Sequence, residues 1–193
     1  MSPFRPDLVD CWMFRVTDRG PDVLLIRRSP GRILPGLWQC VSGSLEAGER
    51  IALGALREVH EETGFGTEAI EAFYDLDLVN QFHEPSVDGV VTSAVFAVRV
   101  RPDAEPRLSH EHDGARWLTV GEALREVIWP AYRTALERIR DDLLDADRAP
   151  WFELDLEGRR RLGSRHPRLL PRPGGPPEPT CRSPPAGRLD RRS

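Results

Sequence analysis

Residues 43–65 read GSLEAGERIALGALREVHEETGF, a glycine-bounded loop followed by the pattern of a helix. Over residues 50–63, apolar side chains recur at i, i+3, i+4 and i+7, which predicts one apolar helix face. These side chains are Ala52, Ala55, Leu56 and Val59. Gly64 can take the left-handed conformation that ends many helices, so we expect the helix to stop there.

The opposite face of this helix is acidic. Glu58, Glu61 and Glu62 lie at i, i+3 and i+4, so their carboxylates cluster in the last turns, where the helix dipole is also negative. Each like-charge pair costs a few tenths of a kcal/mol, and a bound cation would reverse that sign. Clustered oxygen ligands suit a hard ion, Mg²⁺ first and Mn²⁺ second.

The spacing of the whole stretch matches a known motif. Gly43 is followed after five residues by Glu49, and after seven more by Arg57-Glu58-Val59-x-Glu61-Glu62-x-Gly64-Phe65. This is the pattern of the Nudix box, without a departure at any position. The chain therefore resembles the Nudix hydrolases, and the order of its predicted elements extends the resemblance over roughly residues 8–145.

The resemblance implies roles for the box residues. The predicted metal-binding side chains are Glu58, Glu61 and Glu62, with Mg²⁺ as the cofactor and Mn²⁺ as the alternative. Glu58 and Glu61 are also predicted to act in catalysis, Glu58 by helping to deprotonate the attacking water. Arg57 is expected to pair with Glu49 and to hold the carboxylates in place. The backbone carbonyl of Ser42 is a further predicted metal ligand, and Gly43, Glu49 and Gly64 are structural positions of the box.

Flanking residues narrow the resemblance to bacterial dihydroneopterin triphosphate pyrophosphatases, which also act on deoxynucleoside triphosphates. The stretch 38–49, WQCVSGSLEAGE, is similar to their loop, and Glu111-His112, Trp117-Leu118, Trp129 and Arg133 follow the same pattern. In that group the acidic residue before the histidine is an extra metal ligand. This position is Glu111 here, a predicted catalytic and metal-binding residue, or otherwise a solvated loop carboxylate.

Trp38 and Arg27 are the predicted substrate-binding residues. Trp38 can stack on a substrate base or fill the core. His110 and His112 can bind phosphate or transfer a proton, or they can be exposed loop histidines without a role. His60 occupies a variable position of the box, and we expect it on the surface.

The remaining pattern predicts a mixed α/β fold. Strands are expected over residues 10–17 and 23–28, joined as a hairpin, and over 69–82 with a break near residues 75–77. Further strands are expected over 90–101 and 115–118, a capping box at Thr119 and Glu122, and a helix over 130–145. With the box helix, this order implies the Nudix fold, an α/β/α sandwich with a mixed sheet.

Length, charge and composition limit the number of domains and the kinds of partner. With 193 residues, we expect one Nudix domain over residues 1–156 and an Arg/Pro/Gly-rich, disordered tail over 157–193. The net charge of −4 does not favour nucleic-acid binding, although an arginine-rich tail can contact acidic partners or RNA. The chain contains no run of apolar residues that would span a membrane, so we expect a cytoplasmic monomer or homodimer.

These observations together predict a Mg²⁺-dependent enzyme that cleaves a phosphoanhydride in a small polyphosphate, with a nucleoside or pterin triphosphate as the first choice of substrate. The products would be the monophosphate and pyrophosphate. A dinucleoside polyphosphate or nucleotide-sugar hydrolase is the alternative enzyme. A regulator that binds a nucleotide without cleaving it is the alternative outside enzymes, and the complete box argues against it.

Overall fold

Eight strands and three α-helices make up the part of the protein that the computed structural model describes, residues 4–161. In chain order they are β1 Leu8–Thr17, β2 Gly20–Arg28, β3 Trp38–Gln39, β4 Val41–Ser44, α1 Ile51–Thr63, β5 Ile70–Glu84, β6 Gly89–Val100, β7 His112–Thr119, α2 Val120–Glu126, α3 Pro130–Arg138 and β8 Glu153–Leu154. A π-helical turn, Ile139–Leu143, continues α3, and a 3-10 turn, Ala149–Trp151, precedes β8.

The strands form one mixed sheet in the order β3-β2-β1-β6-β5-β8, with β4 paired to β1 and β7 paired to β2. β1 and β6 run parallel, and the other pairs are antiparallel. The predicted hairpin is confirmed, because Thr17 pairs with Gly20 across a tight turn. The predicted break in β5 is confirmed as well, since the register with β6 shifts between Asp75 and Leu78.

Helices cover both faces of this sheet. Alternate residues of β1 point to opposite sides, as in any strand. Val9, Cys11 and Met13 join the core cluster that α1 closes with Ala55 and Val59. Trp12 and Phe14 join the cluster under α2 and α3, where Tyr132 meets the Trp12 ring edge to face at 5.2 Å between centroids. The predicted α/β/α sandwich with a mixed sheet is therefore confirmed.

The predicted helix ends agree closely with the structure. Gly64 has φ 70° and donates its N–H to the His60 carbonyl at 2.8 Å, so α1 ends as the sequence predicts. Thr119 and Glu122 form a reciprocal capping box at the start of α2. The helix expected over residues 130–145 is α-helical only to Arg138, and its last turn is the π-helical one.

Residues 157–161 lie against the domain rather than outside it. Gly158 has φ 71° and packs against Ala52, and Arg160 forms an isolated bridge with Leu154. Arg160 also donates to Asp75 at 3.1 Å. Residues 157–161, which we expect to belong to the tail, therefore contact the domain in the described part of the chain. The disorder predicted for the rest of the tail falls on residues 162–193, which lie outside the described part.

None of the helices within residues 4–161 has both the length and the apolar character needed to span a membrane.

Candidate active site

Arg57 ties the loop of the box to α1. Its guanidinium donates to the two oxygens of Glu49, at 2.9 and 3.1 Å, and to the backbone carbonyl of Ser44 at 2.9 Å. Its Nη1 also donates to Glu58 Oε1 at 2.7 Å and to Glu61 Oε2 at 3.0 Å. The predicted pair with Glu49 is present, and the planar guanidinium fixes the positions of two further carboxylates.

Gly43 brings the backbone of β4 directly against the Glu58 side chain. A Cβ atom at Gly43 would overlap the Glu58 carboxyl group. Glycine at this position therefore allows the close approach of backbone and carboxyl group, and any larger residue would displace the Glu58 side chain. The strand thus supports the carboxylate from one side while Arg57 holds it from the other.

The carboxyl group of Glu62 is buried, and its pKa is strongly raised. Its side chain is only 6% exposed, and its Oε2 has no hydrogen-bond partner within residues 4–161. Burial raises the pKa of Glu62 to about 8, with added contributions from the charges of Glu58 and Glu111. The backbone amide of Ser42 and the charge of Arg28 act in the opposite direction. A buried carboxyl group with an unused oxygen is costly to keep unless a ligand pairs with it.

The pKa of Glu58 is also raised, and burial is again the largest cause. Burial raises the pKa of Glu58, while the hydrogen bond and charge of Arg57 lower it. The charges of Glu61 and Glu111 raise it again. The Glu61 side chain is 54% exposed and lies at the rim of the cluster.

His112 is fully buried beside Glu62, so the interpretation of this residue as an exposed loop histidine is wrong. Its Nε2 lies 3.9 Å from Glu62 Oε2, and neither ring nitrogen has a hydrogen-bond partner in the described part of the chain. Burial is the main factor that lowers the pKa of His112 to about 4. The cause of its burial is strand pairing, since His112 lies opposite Arg28 where β7 meets the end of β2. His60, in contrast, is exposed as expected.

Glu111 reaches the box carboxylates from a second direction. Its loop is attached to the C-terminal end of α1, because Ser109 N–H donates to the Glu62 carbonyl at 3.1 Å and Arg107 N–H to the Thr63 carbonyl at 2.8 Å. Glu111 is among the charges that raise the pKa of both Glu58 and Glu62. The loop that carries Glu111 is thus attached at the end of α1 where the box carboxylates lie, although within residues 4–161 no three of these side chains are close enough to hold one ion.

Arg32, which the sequence does not single out, donates to Glu111 Oε1 at 2.7 Å. No signal in the sequence marks this residue, because it is one arginine in a chain with 27 basic residues. Its partner lies 79 positions away, and only the pairing of β2 with β7 brings the two loops together.

Trp38 and Arg27 lie on the α2/α3 side of the sheet. Trp38 is partly buried and packs against the core on that side, which favours the structural interpretation for part of its ring. Two guanidinium groups also lie over the ring: Arg116 at 3.9 Å and Arg27 at 5.6 Å from its centroid. Arg27 is held in place by Asp113 at 2.7 Å. This cluster offers an aromatic face with fixed positive charge.

The carboxylates fit a hard divalent cation, although they are not assembled around one. Within residues 4–161, no three Asp, Glu, His or Cys side chains are grouped closely enough to hold an ion. Arg57 lies between Glu58 and Glu61, and Arg32 lies on Glu111. All of the donors are oxygens, and Glu62 has an unused one, so the donor set suits Mg²⁺ or Mn²⁺ once these side chains rearrange.

Comparison with known proteins agrees with the fold and the box. A family model described as NUDIX domain matches residues 5–139. The chain therefore belongs to the Nudix family. Nudix hydrolases as a group cleave pyrophosphate linkages, and they generally use divalent metal ions.

Among curated proteins, the chain is 41% identical over 127 residues to a Myxococcus xanthus protein named octanoyltransferase. The match covers 64% of this chain and 34% of the relative, so this chain spans about a third of the length of that protein.

Several solved structures share the fold. A Nudix hydrolase from Listeria monocytogenes has a TM-score of 0.60 at 25% identity, with 72% of this chain and 95% of that chain covered. The E. coli dihydroneopterin triphosphate pyrophosphohydrolase has a TM-score of 0.59 at 23% identity, with 69% of this chain and 94% of that chain covered. A C. elegans Ap4A hydrolase has a TM-score of 0.60 at 18% identity, covering 70% and 96%. The pterin enzyme is thus one of several similar structures, and the last two comparisons show the fold alone.

Proposed function

We propose that the protein is a Mg²⁺-dependent pyrophosphohydrolase whose active site is formed by the four carboxylates at the end of α1. The observation that carries this proposal is Glu62, a buried carboxyl group with an unused oxygen and a pKa raised to about 8. At a position used only to stabilise the fold, both oxygens of the carboxyl group would be hydrogen-bonded, or an apolar side chain would stand there. The charges of Glu58 and Glu111 oppose ionisation of Glu62, and a bound cation would offset that repulsion.

We assign separate roles in metal binding and proton transfer to the carboxylates of this site. A bound divalent cation supplies charge neutralisation of the phosphate oxygens and a lowered pKa for a bound water. Glu62, Glu61 and Glu111 would hold it, together with the Ser42 carbonyl. Glu58 would accept the proton of the attacking water, a role supported by the hydrogen bond from Arg57 and by the pKa that burial raises. The water oxygen joins one phosphorus as the bridging P–O bond breaks, and the oxygen of the leaving group keeps that electron pair.

A nucleoside or pterin triphosphate is the substrate class that we favour, with release of a monophosphate and pyrophosphate. Trp38 with Arg116 and Arg27 forms an aromatic and cationic surface that suits the π-system of a heterocycle. Similarity of the loop at residues 38–49 to the dihydroneopterin triphosphate pyrophosphatases supports the same choice. The Ap4A hydrolase among the similar structures keeps a dinucleoside polyphosphate as the second candidate.

The name of the Myxococcus relative does not transfer to this chain in our proposal. Acyl transfer through a thiol needs an accessible thiolate. Within residues 4–161 the two cysteines, Cys11 and Cys40, are fully buried, and burial raises the pKa of both thiols. The third cysteine, Cys181, lies outside the described part. We assign the transfer activity in that name to the part of the relative beyond the match.

A substrate panel tests the proposed function. The purified protein is incubated with Mg²⁺ and each of several compounds: dihydroneopterin triphosphate, the deoxynucleoside triphosphates, a dinucleoside tetraphosphate and a nucleotide sugar. Pyrophosphate and phosphate are measured separately. We expect pyrophosphate from a triphosphate and no turnover in EDTA. Absence of turnover on the whole panel, with Glu62→Gln binding Mg²⁺ as tightly as the wild type, would overturn the proposal.

A further inference from the structure

The loop between β2 and β3, residues 29–36, is attached to the loop that carries Glu111. Ser29 N–H donates to the Glu111 carbonyl at 2.9 Å, and Ser29 Oγ donates to the His110 carbonyl at 3.1 Å. The base of the loop is closed by Gly36 N–H, which donates to the Arg28 carbonyl at 2.9 Å. The backbone that carries Arg32 is therefore fixed close to the carboxylates.

Arg32 uses one nitrogen for two contacts at this junction. Its Nη2 donates to Glu111 Oε1 at 2.7 Å and lies 2.8 Å from His110 Nε2. A guanidinium carries five N–H donors on three nitrogens, so most of its capacity remains for another anion. The side chains of Arg32 and Glu111 are 35% and 37% exposed. This pair is therefore accessible to solvent and inexpensive to separate.

The contrast with Arg57 shows why this pair can exchange partners. Arg57 is less exposed and is bonded to three carboxylates and a carbonyl, so it cannot leave without breaking the box. Arg32 is bonded to one carboxylate. A divalent cation and Arg32 would compete for the same oxygen of Glu111, and the guanidinium that is displaced would lie beside the site.

We propose that Arg32 is a polyphosphate-binding residue that is held on Glu111 until a divalent cation engages that carboxylate. Once displaced, its planar guanidinium can bind two phosphate oxygens at once, which an ammonium group cannot do. The inference rests on the proposed function for its ligand class, a polyphosphate. It predicts opposite effects of one substitution on two ligands, which a merely structural role for Arg32 would not produce.

The test measures binding, without turnover, in wild-type protein and in Arg32→Gln. Mn²⁺ affinity is measured by electron paramagnetic resonance without polyphosphate, and methylenediphosphonate affinity is measured by calorimetry in saturating Mn²⁺. We expect Mn²⁺ to bind about two- to fivefold more tightly to the variant, because an exposed ion pair no longer opposes it. Methylenediphosphonate should bind about tenfold more weakly, the size expected for a lost charged hydrogen bond.

A matched control is available in Arg99→Gln. Arg99 Nε lies 3.0 Å from Glu71 Oε2, and the two side chains are 37% and 38% exposed, so this ion pair matches that of Arg32 with Glu111 in exposure. Neither affinity should change in this variant. In a Glu111→Gln background, Arg32→Gln should no longer tighten Mn²⁺ binding, because no carboxylate is left to release.

Weaker or unchanged Mn²⁺ binding in Arg32→Gln overturns the inference, as does an unchanged affinity for methylenediphosphonate. If Arg32→Gln does not fold, Arg32→Lys replaces it, with both effects expected in the same directions and smaller. A protein that hydrolyses nothing on the substrate panel and still shows both affinity changes would keep this inference and lose the proposed function.

Discussion

Two arginines hold the acidic side chains of this site, and they do so in different ways. Arg57 lies in the same helix as Glu58 and Glu61 and pairs with Glu49 only eight positions away. Arg32 is 79 positions from its partner Glu111 and meets it through two loops. The first arrangement is encoded by local spacing and is part of the fold, whereas the second depends on strand pairing and can change when a ligand binds.

The largest loss of turnover is expected for a substitution in α1. Glu62→Gln removes a buried carboxylate that we propose as a metal ligand, so turnover should fall by more than about 100-fold, the upper range for residues that only support a ligand. Mg²⁺ or Mn²⁺ should raise the melting temperature of the wild type, because a ligand that binds only the folded state stabilises it. This shift should disappear in Glu62→Gln. A variant with normal activity and a normal shift would remove Glu62 from the site.

The next prediction concerns Glu111, in the loop that precedes β7. Glu111→Gln should lower kcat by about 100-fold or more, the order expected when a ligand or general base is lost, with little change in stability. Glu105→Gln is a suitable control. Glu105 is also an acid paired with an arginine, Arg15 at 3.0 Å, but it lies away from the carboxylate cluster and is 70% exposed. Equal behaviour of the two variants would mean that Glu111 is only a surface partner of Arg32.

The same contrast explains which parts of the molecule could be predicted from sequence. Two features depend only on residues that are close in the sequence: the pair of Arg57 with Glu49, and the end of α1 at Gly64. The motif over residues 43–65 therefore predicts both. The burial of His112 and the partner of Glu111 depend on the register between β2 and β7, which places Arg28 opposite His112 with a shift at Arg27. No local pattern carries that register.

A smaller loss of activity is expected where β4 meets the helix. Gly43→Ala places a Cβ atom where the Glu58 carboxyl group lies, so the side chain must move away from Arg57. We expect turnover to fall by about 10- to 100-fold, the size of a disturbed supporting contact. Gly121→Ala in α2 is the control, because a Cβ atom there meets nothing within 4 Å. It should leave turnover unchanged and stabilise the helix slightly. Normal turnover in Gly43→Ala would show that Glu58 needs no fixed position.

The pH dependence of stability separates Glu62 from His112. The pKa of Glu62 is raised from 4.5 to about 8, so its contribution to stability is lost as the pH rises through that interval. The pKa of His112 is lowered from 6.5 to about 4, so its contribution is lost as the pH falls below 6.5. Of these two groups, only Glu62 changes charge in the folded state between pH 6.5 and 8.

In EDTA, the melting temperature of the wild type should therefore decrease between pH 6.5 and 8. The limit for one group is about 1.4 kcal/mol per pH unit, which corresponds to a few degrees for a domain of this size. Glu62→Gln should remove this slope. Saturating Mg²⁺ should remove it too, because a cation keeps the carboxylate ionised. A wild-type slope that persists in Glu62→Gln would assign the titration to another buried group, with Asp10, whose pKa burial also raises, as the first to examine.

The smallest effect is expected far from both arginines, at the C-terminal end of the described structure. A chain that ends at residue 156 loses the ion pair of Arg160 with Asp75 and the contact of Gly158 with Ala52. Because the pair is exposed, its loss should cost about 1 kcal/mol or less, which is roughly 2–4 °C in melting temperature. A chain that ends at residue 161 keeps these contacts and should melt with the full-length protein, and both shortened chains should keep full activity on small molecules. Arg160→Gln in the full-length chain should reproduce most of the loss seen at residue 156. If the chain ending at 161 melts several degrees lower than the full chain, the segment from 162 onward packs on the domain, and the predicted tail is then part of the fold.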